Sequence, residues 1–334
     1  MTTRRGFLAL TAAAAMTFAV SGARAADLKE MNFGIISTES SANLKPLWIP
    51  FLADMEKSTG MKVNAFFATD YAGIIEGMRF NKVQVAWYGN ASAIQAVDRA
   101  SGEVFVQSAY KTGGDGYYSV LIVNKDSPIQ SLQDIIKSPG KYSLGNGDPN
   151  STSGFLIPSY YAWAQNDIDI RKQFARIVTG NHEANALAVA NKQVDVATNN
   201  TENMERLQKT APEKFAQIRE IWRSPLIPSD PIVWRTDLSD GDKQKIKTFF
   251  LTYGTPQAGK SDAEVKRELA VLGELQWGVF KPSSNKQLIP IREVAYFRDK
   301  LKVEEDVKLS AGEKKAKITE IDAKLAELKK QSGT

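Results

Sequence analysis

Ser151, Thr152 and Ser153 stand in a row within Gly145-Asn146-Gly147-Asp148-Pro149-Asn150-Ser151-Thr152-Ser153-Gly154, after a strand-like Lys141 to Leu144 and before an apolar helical stretch. Three hydroxyls at a helix start sit beside backbone N–H groups that have no intrahelical acceptor, at the positive end of the helix dipole. That combination can hold a tetrahedral oxyanion by directed hydrogen bonds, with no Lys or Arg. The same residues also fit plain capping, one serine bonded to the helix start and the others in water. Pro158 lies inside the helical stretch and implies a short first turn or a kink.

His182 is the only histidine. It too falls at a predicted helix start, where it can donate to the same anion or simply pack. Glu202 follows a strand ending at Thr198, and the carboxyl ends of strands are where α/β sheets place ligand contacts. Asp230 stands between Pro228 and Pro231 in an extended segment. Together the two carboxylates can hold an ammonium group, and each alone can also cap a turn or helix. Tyr71, at a helix start, and Tyr117 each add a phenol hydroxyl and a ring face for a cation.

Other chemistries are excluded by what is missing. The chain has no cysteine, hence no disulfide, thiol nucleophile or thiolate metal site, and one histidine rules out a multi-histidine metal centre. No phosphate-binding Walker loop, nucleophile elbow or metalloprotease helix occurs, and no general acid and base stand in a recognisable setting. The reading is a binding protein with no cofactor and no metal. Three Asn-X-Ser/Thr matches, at Asn90, Asn150 and Asn199, are discounted.

The elements that must position these residues follow an α/β rhythm. Met31 to Ile36 reads as a buried strand, then come a helix bearing Leu47, Ile49, Phe51, Leu52 and Met55 and a strand from Lys62 to Phe67. Thr69-Asp70-Tyr71 signals a helix start, with the helix running to Phe80 and a strand Val83 to Trp87 after it. A similar helix, turn and Val-x-Val-Ala strand recurs about 110 residues later, at Asn191 to Ala197, which suggests two lobes of similar build. The strand Tyr118 to Val123 is long enough to pass from one lobe to the next, and the proline-rich 225–234 reads as the return. The expected division is a first lobe at 27–118 with a return at 231–300, a second lobe at 119–230, and a C-terminal tail at 301–334.

The ends carry their own signals. Arg4 and Arg5, an apolar stretch from Phe7 to Val20 and Ala23-Arg24-Ala25 have the order of a secretory signal peptide, twin-arginine-like, over residues 1–25. Removing it takes away three arginines and no acid, lowering the formal charge from +5 to +2. No basic patch then argues for nucleic acid or for an anionic membrane. With no cysteine to carry a lipid, the expectation is a soluble periplasmic protein. Beyond Gly312, Ile318, Ile321, Leu325 and Leu328 form an apolar stripe too short for a stable isolated coiled coil. It either docks on the first lobe or pairs with a second copy as a homodimer.

The whole chain after the leader resembles the phosphonate-binding proteins of bacterial ABC importers. The runs that carry the resemblance are DYAGIIEGMRFNKVQVAWYGN, VLIVNKDSPI, GNGDPNSTSGF, NALAVANKQVDVATNNTEN and SPLIPSDPIVWR. It implies the type II periplasmic-binding fold, two α/β lobes joined by two crossing strands. It further implies that Ser151, Thr152, Ser153 and His182 hold phosphonate oxygens. Glu202 and Asp230, with Tyr71 and Tyr117, would hold the amine of 2-aminoethylphosphonate. The partner would be an ABC permease of the inner membrane, met by the closed form after hinge closure. Alternatives are a binder of phosphite, phosphate or plain alkylphosphonates, and an exported phosphonate hydrolase.

Overall fold

A computed structural model describes residues 28–332 except Thr112. The expected leader at residues 1–25 lies outside the described residues. The chain begins with β1 (Glu30–Ile35), α1 (Ser41–Thr59), β2 (Lys62–Phe67), α2 (Tyr71–Arg79), β3 (Val85–Trp87), α3 (Asn90–Arg99) and β4 (Gly102–Gln107). After a short β5 (Gly116–Tyr117) and β6 (Ser119–Asn124), a second unit runs through β7 (Ser143–Asn146) and π-helical turns at Thr152–Leu156 and Ser159–Trp163. It continues with β8 (Arg176–Thr179), α4 (His182–Ala190), β9 (Val196–Asn200), α5 (Thr201–Thr210) and β10 (Ile218–Arg223). The return is β11 (Ile227–Pro228) and β12 (Pro231–Arg235), followed by α6 (Asp240–Thr252), α7 (Asp262–Glu274), β13 (Lys281–Pro282), α8 (Ile289–Glu305) and α9 (Ala311–Ser332).

Two sheets form two lobes, with strand orders β13-β4-β12-β3-β1-β2 and β10-β6-β9-β7-β8. Each has a parallel trio with its first strand central: β1 between β2 and β3, and β7 between β8 and β9. Each trio then takes an antiparallel neighbour, β12 in the first sheet and β6 in the second. β5 and β11 pair antiparallel, Tyr117 opposite Ile227, as a two-stranded ribbon between the sheets. The crossing is therefore Gly116–Tyr117, not the strand beginning at Tyr118. β6 lies wholly in the second sheet, all six residues buried: Val120 and Ile122 face one apolar cluster, Leu121 and Val123 the other. A strand covered on both faces cannot double as a solvated link.

Local signals explain the helix bounds. Ser40 caps α1 by accepting from the Asn43 N–H, and Gly60 ends it in the left-handed region at φ 71°, where only glycine is unstrained. The buried face of α1 is Leu44, Trp48, Phe51, Leu52 and Met55. Ile49, expected in the apolar stripe, is exposed, because the helical period turns Trp48 inward instead. Trp48 packs on Phe33, Phe51, Trp87 and Trp277 in an aromatic core. Each such ring contributes about 1.5–3 kcal/mol by leaving water.

The turns from α2 to β3 and from α4 to β9 match, and an Asn-Lys pair precedes each strand, Asn81-Lys82 and Asn191-Lys192, but the turns align one residue away from that sequence pairing. The left-handed residues are Asn81 (φ 55°) and Lys192 (φ 56°), because Asn191 still occupies the helix C-cap.

The tail packs on its own chain. α9 lies along α8, with Leu325 and Leu328 buried, Ile318 and Ile321 half-buried, and Lys300 paired to Asp322 at 2.7 Å. This is the docking reading; the homodimer through this stripe has no support. α8 itself runs unbroken to Glu305, so the boundary expected between 300 and 301 falls inside a helix.

Candidate functional site: a cleft of helix starts

The two lobes repeat one another residue by residue. Phe33 pairs with Val85 in one sheet and Leu144 with Val196 in the other, and the same chain interval separates every equivalent pair below. Gly34 and Gly145 allow close approach to Ala86 and Ala197, where an added Cβ would come within 3.0 Å. Ser40 caps α1 as Ser151 caps the first π-helical turn, and Asp70 caps α2 as Asn181 caps α4. Tyr71 and His182 are the first residues of those last two helices. The carboxyl edges of both trios thus send helix starts into one cleft, the position that topology favours for a ligand.

The lobes are closed on each other, and the second lobe supplies acceptors to the starts of α1, α2 and α3 in the first. Glu183 accepts from the Ser40 N–H at 2.8 Å and from the Asn43 side chain at α1. Asp148 accepts from the Tyr71 N–H at 3.2 Å at α2. Thr152 Oγ1 accepts from the Ala91 N–H at 2.8 Å at α3, whose cap position, Gly89, has no side chain to do so. In return the His182 N–H donates to the Thr38 carbonyl at 3.1 Å.

Around the hydroxyl run, the plain capping reading holds only in part. Ser151 is the cap, accepting from the Gly154 N–H at 3.0 Å, and it lines the cleft together with Tyr71. Thr152 and Ser153 are not solvated but buried. Ser153 Oγ accepts from Asn200 Nδ2 at 3.1 Å and lies 3.4 Å from His182 Nε2, so it stands behind the cleft wall instead of lining it. The start of the π-helical turn leaves the N–H groups of Thr152 and Ser153 as donors without intrahelical acceptors. Pro158 sits between the two π-helical turns, which absorb it.

His182 is fully buried, and burial lowers its pKa to about 4, so the ring is neutral near pH 7. Asn200 fixes the tautomer: its Oδ1 accepts from the Asn203 N–H at 2.7 Å, so its Nδ2 is the donor toward His182 Nε2 at 3.2 Å. The ring proton is then on Nδ1, which is buried with no partner. An unspent N–H donor beside a helix start is suited to an oxyanion.

The carboxylates close the other end. Asp230, on the return into the first lobe, accepts from Tyr117 Oη at 2.9 Å and from Trp87 Nε1 at 3.1 Å. Glu202, in the first turn of α5 in the second lobe, lines the same cleft and is half-buried. Burial raises both carboxyls, Glu202 further through repulsion from Asp230 and eased by Arg206. Tyr71 and Tyr117, expected as cleft aromatics, are both buried.

Tyr71, Tyr117, Ser151, Thr152, His182, Glu202 and Asp230 all line this cleft. Its volume of about 40 Å³ compares with roughly 10–15 Å³ for one enclosed water, so it suits a compound of a few heavy atoms. Sequence reading missed much of the walls: Glu39, Asn200, Asn203, Arg206, Gln276 and Trp277. The repeat could have found the Glu39 segment, since Ser40 occupies the position of Ser151; Gln276 lies outside the repeat and had no signal. Among the described residues no cluster of three His, Cys, Asp or Glu is placed to hold a metal, and no helix is long and apolar enough to cross a membrane.

Comparison with known proteins points the same way. Residues 33–288 match the family described as ABC transporter, phosphonate, periplasmic substrate-binding protein. A phosphonates-binding periplasmic protein of Escherichia coli strain K12 is 58% identical over 301 residues, 90% of this chain and 86% of that one. The crystal structure of a binding-protein component of an ABC phosphonate transporter from Pseudomonas aeruginosa has 53% identity and a TM-score of 0.86, covering 92% of this chain and 99% of the other. A Prochlorococcus marinus protein solved in complex with methylphosphonate shares the fold, with 21% identity and a TM-score of 0.69 over 81% of this chain and 98% of that one.

Proposed function

This chain belongs to the family of periplasmic substrate-binding proteins of phosphonate ABC transporters, and on that premise we propose that its ligand is a small phosphonate bearing an amine, 2-aminoethylphosphonate or a near relative. The family is one of binding proteins, not enzymes. In the proposed complex the phosphonate oxygens meet Ser151, Thr152 and the neutral His182, with Ser153 behind them, while Tyr71 and Tyr117 flank the amine end. The ammonium lies between Glu202 and Asp230. Its place of work is the periplasm, and the closed form is what the membrane permease receives.

The observation that carries the amine is the pair of carboxylates. Asp230 belongs to one lobe and Glu202 to the other, and both line the same small cleft, Asp230 buried and Glu202 half-buried. Closing the lobes on nothing would desolvate and oppose two like charges. A cation between them removes that cost, so an ammonium favours the closed state over the open one, as a ligand must to shift the population. A plain alkylphosphonate, phosphite or phosphate offers no such compensation.

Calorimetry with 2-aminoethylphosphonate against methylphosphonate tests this directly. The amino compound should bind at least about a hundredfold more tightly, a difference of about 2.7 kcal/mol. Equal affinities would refute the amine assignment and leave a plain oxyanion binder. Release of inorganic phosphate from either compound by the pure protein would instead support the hydrolase alternative.

A further inference from the structure

We propose that Gln276 is a third ammonium acceptor in the cleft and selects a primary amine over a fully substituted one. The proposal rests on the amine reading above. Gln276 follows α7 in the first lobe, lines the same cleft as Glu202 and Asp230, and is only 7% exposed. Its side-chain carbonyl oxygen is shut from solvent and has no hydrogen-bond partner. A buried acceptor left unmatched costs free energy in any folded protein, and native structures rarely keep one without a use.

The backbone adds a second cost at the same residue. Gln276 has φ +64°, the left-handed region that disfavours side chains other than glycine. The turn around it is well held. The Gln276 N–H donates to the Gly273 carbonyl at 3.1 Å, and its own carbonyl accepts from the Lys111 N–H at 3.1 Å. Next to it, Trp277 packs against Trp48 and against Trp87, whose indole N–H binds Asp230. Gln276 is therefore fixed to the wall that carries Asp230. A glycine would relieve the backbone but would remove the carboxamide.

Donor counting gives that carboxamide its role. A primary ammonium has three N–H donors. Glu202 and Asp230 supply two acceptors from opposite lobes, and the Gln276 carbonyl supplies the third. Being neutral, it completes the shell without adding a third negative charge to a crowded cleft. A trimethylammonium has no donor to offer and leaves the oxygen unmatched.

The test measures dissociation constants for 2-aminoethylphosphonate, its N,N,N-trimethyl analogue and methylphosphonate, with the wild type and Gln276→Leu. Gln276→Leu should weaken the amino ligand about tenfold to a hundredfold and methylphosphonate less than threefold, with an unchanged or higher ligand-free Tm. Equal losses for both ligands, or no loss, would overturn the proposal. Should the variant not fold, the wild-type series decides: the trimethyl analogue should bind at least tenfold more weakly than the primary amine, and equal binding refutes the third acceptor. A wild type that does not prefer the amino ligand to methylphosphonate would refute the amine reading itself, a separate outcome.

Discussion

Arg206 of the second lobe meets Glu39 of the first in an ion pair of 2.7 Å, both side chains largely withdrawn from solvent, at the wall between the cleft and an outer groove. The pair joins the two lobes directly. Removing one partner leaves a buried charge unmatched, which costs about 3–5 kcal/mol, so Arg206→Met should speed ligand dissociation by two orders of magnitude or more. Stopped-flow release is the measurement, and adding Glu39→Leu to Arg206→Met should recover part of the loss in a double-mutant cycle. Additive losses would mean the two residues do not act as a latch.

Glu202→Gln should distinguish the two ends of the ligand. Loss of one partner of a buried charge pair costs about 2–5 kcal/mol, and the amino ligand should suffer that loss in full. Methylphosphonate should bind unchanged or better, because the substitution relieves repulsion with Asp230. Parallel losses measured by calorimetry would make Glu202 a structural residue.

Closure of the empty protein should depend on pH. Glu202 and Asp230 are raised in the closed cleft to about 8 and about 7, by burial in both and by mutual repulsion at Glu202. A raised carboxyl holds its proton better when closed than in the open, solvated or unfolded forms. The closed state and folding stability are therefore favoured at low pH, and that advantage is lost as pH rises from the ordinary carboxylate range through about 8. Small-angle scattering without ligand should show the closed fraction falling over that window, and the trend should vanish in a Glu202→Gln, Asp230→Asn double variant. Since the amine needs ionised acids, binding of 2-aminoethylphosphonate should strengthen over the same window.

Thr152→Val removes the acceptor that caps α3 from the other lobe and leaves the Ala91 N–H buried in the closed form. The expected cost is about 1–3 kcal/mol against closure, seen as weaker binding of every ligand alike, while Thr152→Ser should restore most of it.

Deleting residues 312–334 should leave affinity unchanged and lower Tm. The tail buries Leu325 and Leu328 far from the cleft, each contributing about 1.5–3 kcal/mol.

Much of this was readable from local signals. β2 and α2 were placed to within a residue because period, cap and turn residues agreed there. The candidate residues that a motif put at a helix start or a strand end, Ser151, His182 and Glu202, do line the cleft. The crossing was misplaced because β6 is apolar on both faces, and such a run gives no hint of which sheet it joins. Arg206 and Gln276 stayed invisible because their meaning lies in contacts between segments far apart in the chain, whereas the Glu39 segment was within reach of the repeat. The repeat was visible as a turn, yet its register needed the φ angles of Asn81 and Lys192.

Trp87 gives the cleft its own optical reporter. Its indole N–H is bound to Asp230, and its ring packs against both Trp48 and Trp277. Any cation arriving at Asp230 changes the field on that indole, and closure changes its exposure. Emission from the unlabelled protein should therefore respond to the amine end of a ligand, and a compound lacking that end should leave a different spectral signature even at full occupancy.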